Sequence, residues 1–182
     1  MALIYNGTTV EAVTYNGTTL DKVIYNGTTV WEAWKLKTGN LVTMTSLSAP
    51  SPFTCSETDG YWKVFDGSTY WADNAMNLNS TLPWAILNLN TYNNSKGIKP
   101  TKFSLFAGGS PYPTFNIKGQ RVSDGVWEVI TTIYCAVGTN EATWKYATVT
   151  PNKAYKAFRI DVASGATSNS RVALFQITEW YA

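Results

Sequence analysis

One short phrase occurs three times at the start of this chain, with a period of ten residues. Tyr5-Asn6-Gly7-Thr8-Thr9-Val10, Tyr15-Asn16-Gly17-Thr18-Thr19-Leu20 and Tyr25-Asn26-Gly27-Thr28-Thr29-Val30 are near copies, and nothing after Lys35 continues them. An Asn-Gly pair between β-prone residues is the strongest short-range hairpin signal. A type I′ turn takes φ > 0 at both central positions, which Asn and Gly tolerate best. With Asn6-Gly7 as the turn, Tyr5 faces Thr8, Ile4 faces Thr9 and Leu3 faces Val10. Alternation then puts Leu3, Tyr5, Thr8 and Val10 on one face. The later copies repeat this with Val13, Tyr15, Thr18 and Leu20, and with Val23, Tyr25, Thr28 and Val30.

A lone two-stranded hairpin is marginal in water, so these apolar faces need cover. The cover comes from one another, from the rest of the chain, or from other copies of it. A capping β-meander and an oligomerisation or docking stem both meet that need. The Asn-Gly-Thr triplets match a glycosylation acceptor, as do Asn79-Ser80-Thr81 and Asn93-Asn94-Ser95. For the three repeats the turn alone explains them. The boundary falls at residues 1–35 for the repeat region and 36–182 for the remainder.

From about Leu41 the chain reads as strands broken by turns at Pro50-Ser51-Pro52, Asp59-Gly60, Asp66-Gly67, Gly108-Gly109, Asp124-Gly125 and Ser164-Gly165. Strands are expected at residues 84–89, 102–106, 126–130, 155–162 and 172–177, several of them alternating apolar and polar residues. No segment carries a helical stripe of useful length. Many short strands with Gly and Pro turns indicate a sandwich or barrel.

Composition excludes several functions. The chain has no histidine, which removes Ser-His-Asp and Cys-His nucleophilic sites and nearly all zinc sites. A carboxylate-pair glycosidase needs no histidine, but acidic residues are sparse and an enzyme is not expected. Fourteen basic and twelve acidic residues are interspersed, so there is no clustered basic face for nucleic acid. Lys96, Lys99 and Lys102 read as a solvated loop and strand edge. Cys55 and Cys135 are too few for a disulfide scaffold, and buried thiols are expected. No apolar run approaches the ~20 residues of a membrane helix. The opening residues lack the character of a signal peptide, which points to assembly in a cytoplasm or export by another route.

In chain order, Val64-Phe65-Asp66-Gly67-Ser68-Thr69-Tyr70-Trp71, Pro83-Trp84-Ala85-Ile86-Leu87-Asn88-Leu89, Pro100-Thr101-Lys102-Phe103-Ser104-Leu105, Val122-Ser123-Asp124-Gly125-Val126-Trp127, Phe158-Arg159-Ile160 and Leu174-Phe175-Gln176-Ile177 resemble the discoidin-like domains. These are the galactose-binding-like jelly rolls of coagulation factor V/VIII type C domains and bacterial carbohydrate-binding modules. The resemblance covers about residues 42–182. It implies an all-β fold, a galactose-binding-like jelly-roll β-sandwich preceded by the small hairpin repeat region. Trp71, Trp84 and Trp127 are then expected in the core.

The resemblance further implies a ligand site made by loops at one end of the sandwich, here 72–77, 107–116 and 164–171. Tyr112 and Phe115 supply planar rings for a pyranose face. Asp73, Asn74, Asn116, Asn169 and Arg171 supply directional hydrogen bonds to hydroxyls. The family's histidine after the first-motif Trp is absent, with Asp73 nearby instead. No cofactor is required. The family's structural calcium would fall at Asp66 and Thr69, although Gln176 replaces the usual last-strand Glu.

The functional expectation is a non-catalytic carbohydrate-binding adhesion module, whose partner is a cell-surface carbohydrate. The short repeats resemble the organisation of bacteriophage tail or baseplate proteins. That implies a homo-oligomer, such as a trimer, or attachment to other virion proteins, with location on a virion or an extracellular surface. The competing expectation is a structural assembly module of the same particle that binds no glycan. A membrane-binding domain like the coagulation relatives is a further reading.

Overall fold

The computed structural model describes residues 4–5, 8–9, 12–26, 28–55, 61–69, 76–77, 84–108, 113–135, 142–164 and 171–182. The chain divides into two compact units, Met1–Lys35 and Leu36–Ala182.

The first unit is three hairpins: β1 (Ile4–Tyr5) with β2 (Thr8–Thr9), β3 (Thr14–Tyr15) with β4 (Thr18–Thr19), and β5 (Lys22–Tyr25) with β6 (Thr28–Glu32). Their registers pair Tyr5 with Thr8, Tyr15 with Thr18 and Tyr25 with Thr28, as a two-residue turn requires. At the second turn Asn16 has φ 48° and Gly17 φ 77°, both in the left-handed region that selects Asn-Gly. The third hairpin is longer, carries an irregularity between Val23 and Ile24, and reaches Lys22 opposite Glu32. Tyr15 is 68% exposed and Tyr25 70%, while Val13, Leu20 and Val23 are half-buried.

The second unit is a sandwich of two five-stranded sheets. Its strands are β7 (Leu36–Thr38), β8 (Thr54–Cys55), β9 (Met76–Asn77), β10 (Trp84–Asn88), β11 (Lys99–Gly108), β12 (Thr114–Arg121), β13 (Trp127–Tyr134), β14 (Ala142–Thr148), β15 (Tyr155–Ser164) and β16 (Arg171–Tyr181). One sheet runs β13-β12-β15-β10-β8. The other runs β14-β11-β16-β7, with β9 also on β16. The pairings are antiparallel, and the described residues contain no α-helix, only the short 3-10 segments Tyr61–Phe65 and Tyr92–Ser95. No helix among them is long and apolar enough to cross a membrane.

Alternation drives the inner faces together. Ala85 and Leu87 of β10, Phe115 and Ile117 of β12, and Phe158 and Ile160 of β15 meet Phe103 and Leu105 of β11 and Phe175 and Ile177 of β16. Phe103 stacks on Phe175 with centroids 5.9 Å apart. It also meets Phe158 of the facing sheet edge-on at 6.2 Å. Each fully buried ring contributes about 1.5–3 kcal/mol relative to exposure. Cys55 and Cys135 are both buried thiols, and burial pushes the Cys135 thiol up to about 11.

The tryptophans expected in the core do not pack there among the described residues. Trp71 lies outside the described residues. Trp84 and Trp127 sit on the outer face of their sheet, where the Arg159 guanidinium lies 5.2 Å from one ring centroid and 5.6 Å from the other. Trp84 begins its strand one residue out of phase with the inward Ala85 and Leu87, so alternation turns it outward.

Candidate functional site

Strand register decides which segments share an end of the sandwich. Gly108, at the end of β11, pairs with Ala142 of β14 and with Arg171 of β16. Arg171 pairs in turn with Asn77 of β9. On the facing sheet, Thr114 at the start of β12 pairs with Ser164 of β15 and Tyr134 of β13. The strands flanking the three segments expected to form a site therefore end together.

Of the residues expected there, Asp73, Asn74, Tyr112 and Asn169 lie outside the described residues. Arg171 opens β16 through its backbone pairings. Phe115 is a correction. It lies within β12, faces inward and is fully buried, so it offers no ring face to a sugar. Asn116 is also a strand residue rather than a loop residue. On the opposite face of β12, its Oδ1 accepts a hydrogen bond from the Thr132 hydroxyl at 2.8 Å. Both fall out of the expected loop because β12 begins at Thr114, two residues before the expected loop ends.

Asn116 borders a packed polar network. Asp161, buried on β15, accepts from Arg159 Nε at 2.5 Å and Nη2 at 2.7 Å, and pairs with Lys118 Nζ at 2.5 Å. With three donors on one carboxylate and Arg159 held between Trp84 and Trp127, this network pins the outer face of the sheet.

A cleft of about 460 Å³ lies beside β13, among Pro100, Glu128, Thr131, Thr148, Lys153 and Tyr155. The Glu128 carboxylate accepts from Lys153 Nζ at 2.7 Å and from the Tyr155 hydroxyl at 2.8 Å, with Arg121 Nη1 at 3.4 Å. The Lys153 hydrogen bond, before all, pushes the Glu128 carboxyl below its ordinary range. Burial, and then Glu128 itself, pushes Tyr155 up. A carboxylate so held is a poor proton donor, the reverse of a glycosidase acid.

The sequence reading missed two rings. Trp144 is 41% exposed and Tyr146 60%, both on β14, and their planes are 7° apart with centroids at 6.0 Å. The alternation of Trp144 and Tyr146 with Thr143, Lys145 and Ala147 was the available signal. The aromatics take the outer face there and Ala147 packs toward the core.

The expected calcium does not fit the described residues. Asp66 Oδ1 accepts from the Ser68 backbone N–H at 2.7 Å, an Asx turn, and burial raises its carboxyl above the usual value. Thr69 is exposed. Gln176, where an acidic ligand would fall, is buried and donates its Nε2 to the Phe65 carbonyl at 3.2 Å. Calcium takes 6–8 oxygens, commonly with several carboxylates. Among the described residues no cluster of three His, Cys, Asp or Glu side chains offers a metal site.

No family profile matches the chain. No curated protein matches its sequence. Solved structures do resemble it. CpGH89CBM32-6 of Clostridium perfringens aligns with a TM-score of 0.50 at 11% identity, covering 72% of this chain and 96% of that one. The F5/8 type C domain of a Bacteroides fragilis protein gives 0.47 at 17% identity, over 71% and 89%. The family 32 CBM of NanJ from C. perfringens, solved with galactose, gives 0.44 at 15% identity, over 71% and 92%. The fold is thus the galactose-binding-like jelly roll of carbohydrate-binding modules.

Proposed function

We propose that the chain is a non-catalytic carbohydrate-binding module that recognises bacterial cell-surface glycans through the end of the sandwich where β11, β12 and β16 meet their loops. The observation that carries this reading is register: Gly108, Thr114, Ser164 and Arg171 stand at one end. The segments joined to them hold Asp73, Asn74, Tyr112, Asn169 and Arg171. Carboxylate, amide and guanidinium groups match adjacent hydroxyls, and a tyrosine ring matches a pyranose face. The fold likeness is an analogy that agrees with this reading. The module works without a bound metal, so EDTA leaves its binding unchanged.

The hairpin repeats mount this module in a multivalent particle, such as a phage tail or baseplate, on a virion or extracellular surface. Several weak sites on one assembly raise avidity by ~10²–10⁴ without new contacts. The exposed Tyr15 and Tyr25 favour a second reading, in which the whole chain is an assembly element and binds no glycan. Pull-down on purified bacterial cell-wall polysaccharide separates the two. Retention that is lost in Asp73→Ala or Tyr112→Ala supports the first reading. No retention on any polysaccharide supports the second.

A further inference from the structure

Phe106, Trp144 and Tyr146 form an aromatic ladder on the outer face of the β14–β11 pair. Phe106 and Trp144 are register partners with ring centroids 5.3 Å apart, and Trp144 runs parallel to Tyr146. Elsewhere this chain gives exposed rings a structural task, as Trp84 and Trp127 show around Arg159. The ladder's outer rings remain 41% and 60% exposed. Covering them is worth more than leaving them in water.

Size argues against a protein partner. The exposed parts of two such rings amount to roughly 200 Å², taking a full aromatic side chain as 150–250 Å². A stable protein interface takes about 800 Å² from each side. A flat-faced small ligand fits the patch better. The rung beyond Tyr146 is polar: Lys102 pairs in register with Thr148 and Glu179, and Lys102 Nζ lies 3.5 Å from Glu179 Oε1. Stacking surface bordered by an ammonium, a carboxylate and a hydroxyl suits a sugar.

Position supplies the rest. Ala142 pairs with Gly108 at the loop end. At about 3.3 Å per residue, Trp144 lies about 7 Å and Tyr146 about 13 Å further along β14. We propose that the ladder continues the loop-end site, and that the ligand is an extended polysaccharide chain lying along β14 rather than a terminal monosaccharide. This rests on the carbohydrate-binding reading above.

The test is an array of glucose, galactose and N-acetylglucosamine monosaccharides with their linear oligomers of up to about six units, probed with the full chain. A second panel of bacterial cell-wall polysaccharides runs alongside. Wild type is expected to prefer longer chains by about tenfold or more, and the Trp144→Ala/Tyr146→Ala variant to fall to the monosaccharide level. Trp144→Phe, which keeps a ring, should retain most of the preference, and circular dichroism verifies that each variant is folded. Equal binding of short and long chains, or an unaffected double variant beside a Tyr112→Ala variant that has lost binding, overturns the ladder and leaves the loop-end reading standing. No glycan retained by wild type on either panel overturns both.

Discussion

Gly119 shows how closely single residues fit in this core. A Cβ there would fall within contact of the Tyr155 ring and 2.8 Å from Ile130 Cδ1. The ring has little room to yield, because its hydroxyl is bonded to Glu128. Gly119→Ala should cost about 1–3 kcal/mol, seen as a lower urea midpoint with an unchanged m value. Glu128 itself predicts a pH dependence. Its folded pKa lies below its unfolded value near 4.5, so its contribution is present above that value and lost as pH falls through the folded one. Tyr155 is shifted the other way, so its contribution is present below its unfolded pKa near 10.0 and lost at higher pH. Urea midpoints measured across pH should show both limbs, and Glu128→Gln should flatten the acid one. At Asp66 burial opposes ionisation, whereas the Asx turn needs only an oxygen acceptor. Asp66→Asn should therefore leave the thermal midpoint near neutral pH unchanged or higher, with or without added calcium. A calcium-dependent loss of stability in that variant would restore the metal site.

At the scale of elements, what could be read from sequence followed from pattern strength. Asn-Gly turns fix the pairs beside them, so Tyr5–Thr8, Tyr15–Thr18 and Tyr25–Thr28 were legible, whereas in the third hairpin an irregularity sets Val23 opposite Trp31 rather than the expected Val30. The Asp124-Gly125 turn was equally legible. Gly125 has φ 72°, and Asp124 caps the turn by accepting from the Val126 N–H at 3.0 Å. Strands with strong inward apolar residues, β10, β11, β15 and β16, were expected within a few residues, and so was β13, although its Val129 is exposed and its Trp127 faces outward. Strands β12 and β14 were not. In β12, Lys118, Gly119 and Gln120 dilute the apolar signal, although Gly119 is there to admit the Tyr155 ring. In β14 the large rings face outward, which inverts the usual pattern. The same dilution placed Phe115 and Asn116 in a loop. The discoidin-like motifs gave the fold, but the direction of Trp84 and Trp127 depends on a one-residue phase that motif order does not encode.

At the scale of the molecule, the chain combines a repeat unit with exposed tyrosines and a jelly roll in which strands flanking segments far apart in sequence end together. Among the described residues, Asn77 and Arg171 are register partners across β9 and β16 although far apart in the chain, which is why spacing along the sequence gives no hint of their juxtaposition. The two units predict separable roles. A chain beginning at Leu36 should keep the jelly-roll thermal transition while losing higher-order mass in light scattering. A monomeric full-length chain would end the multivalent reading. The central claim is that the loop end binds a bacterial glycan. It is tested most directly by probing an array of bacterial cell-wall polysaccharides with the full chain and its Tyr112→Ala and Asp73→Ala variants. The wild type is expected to be retained selectively and the variants to lose retention. Retention undiminished in both variants, or none on any polysaccharide, would contradict it.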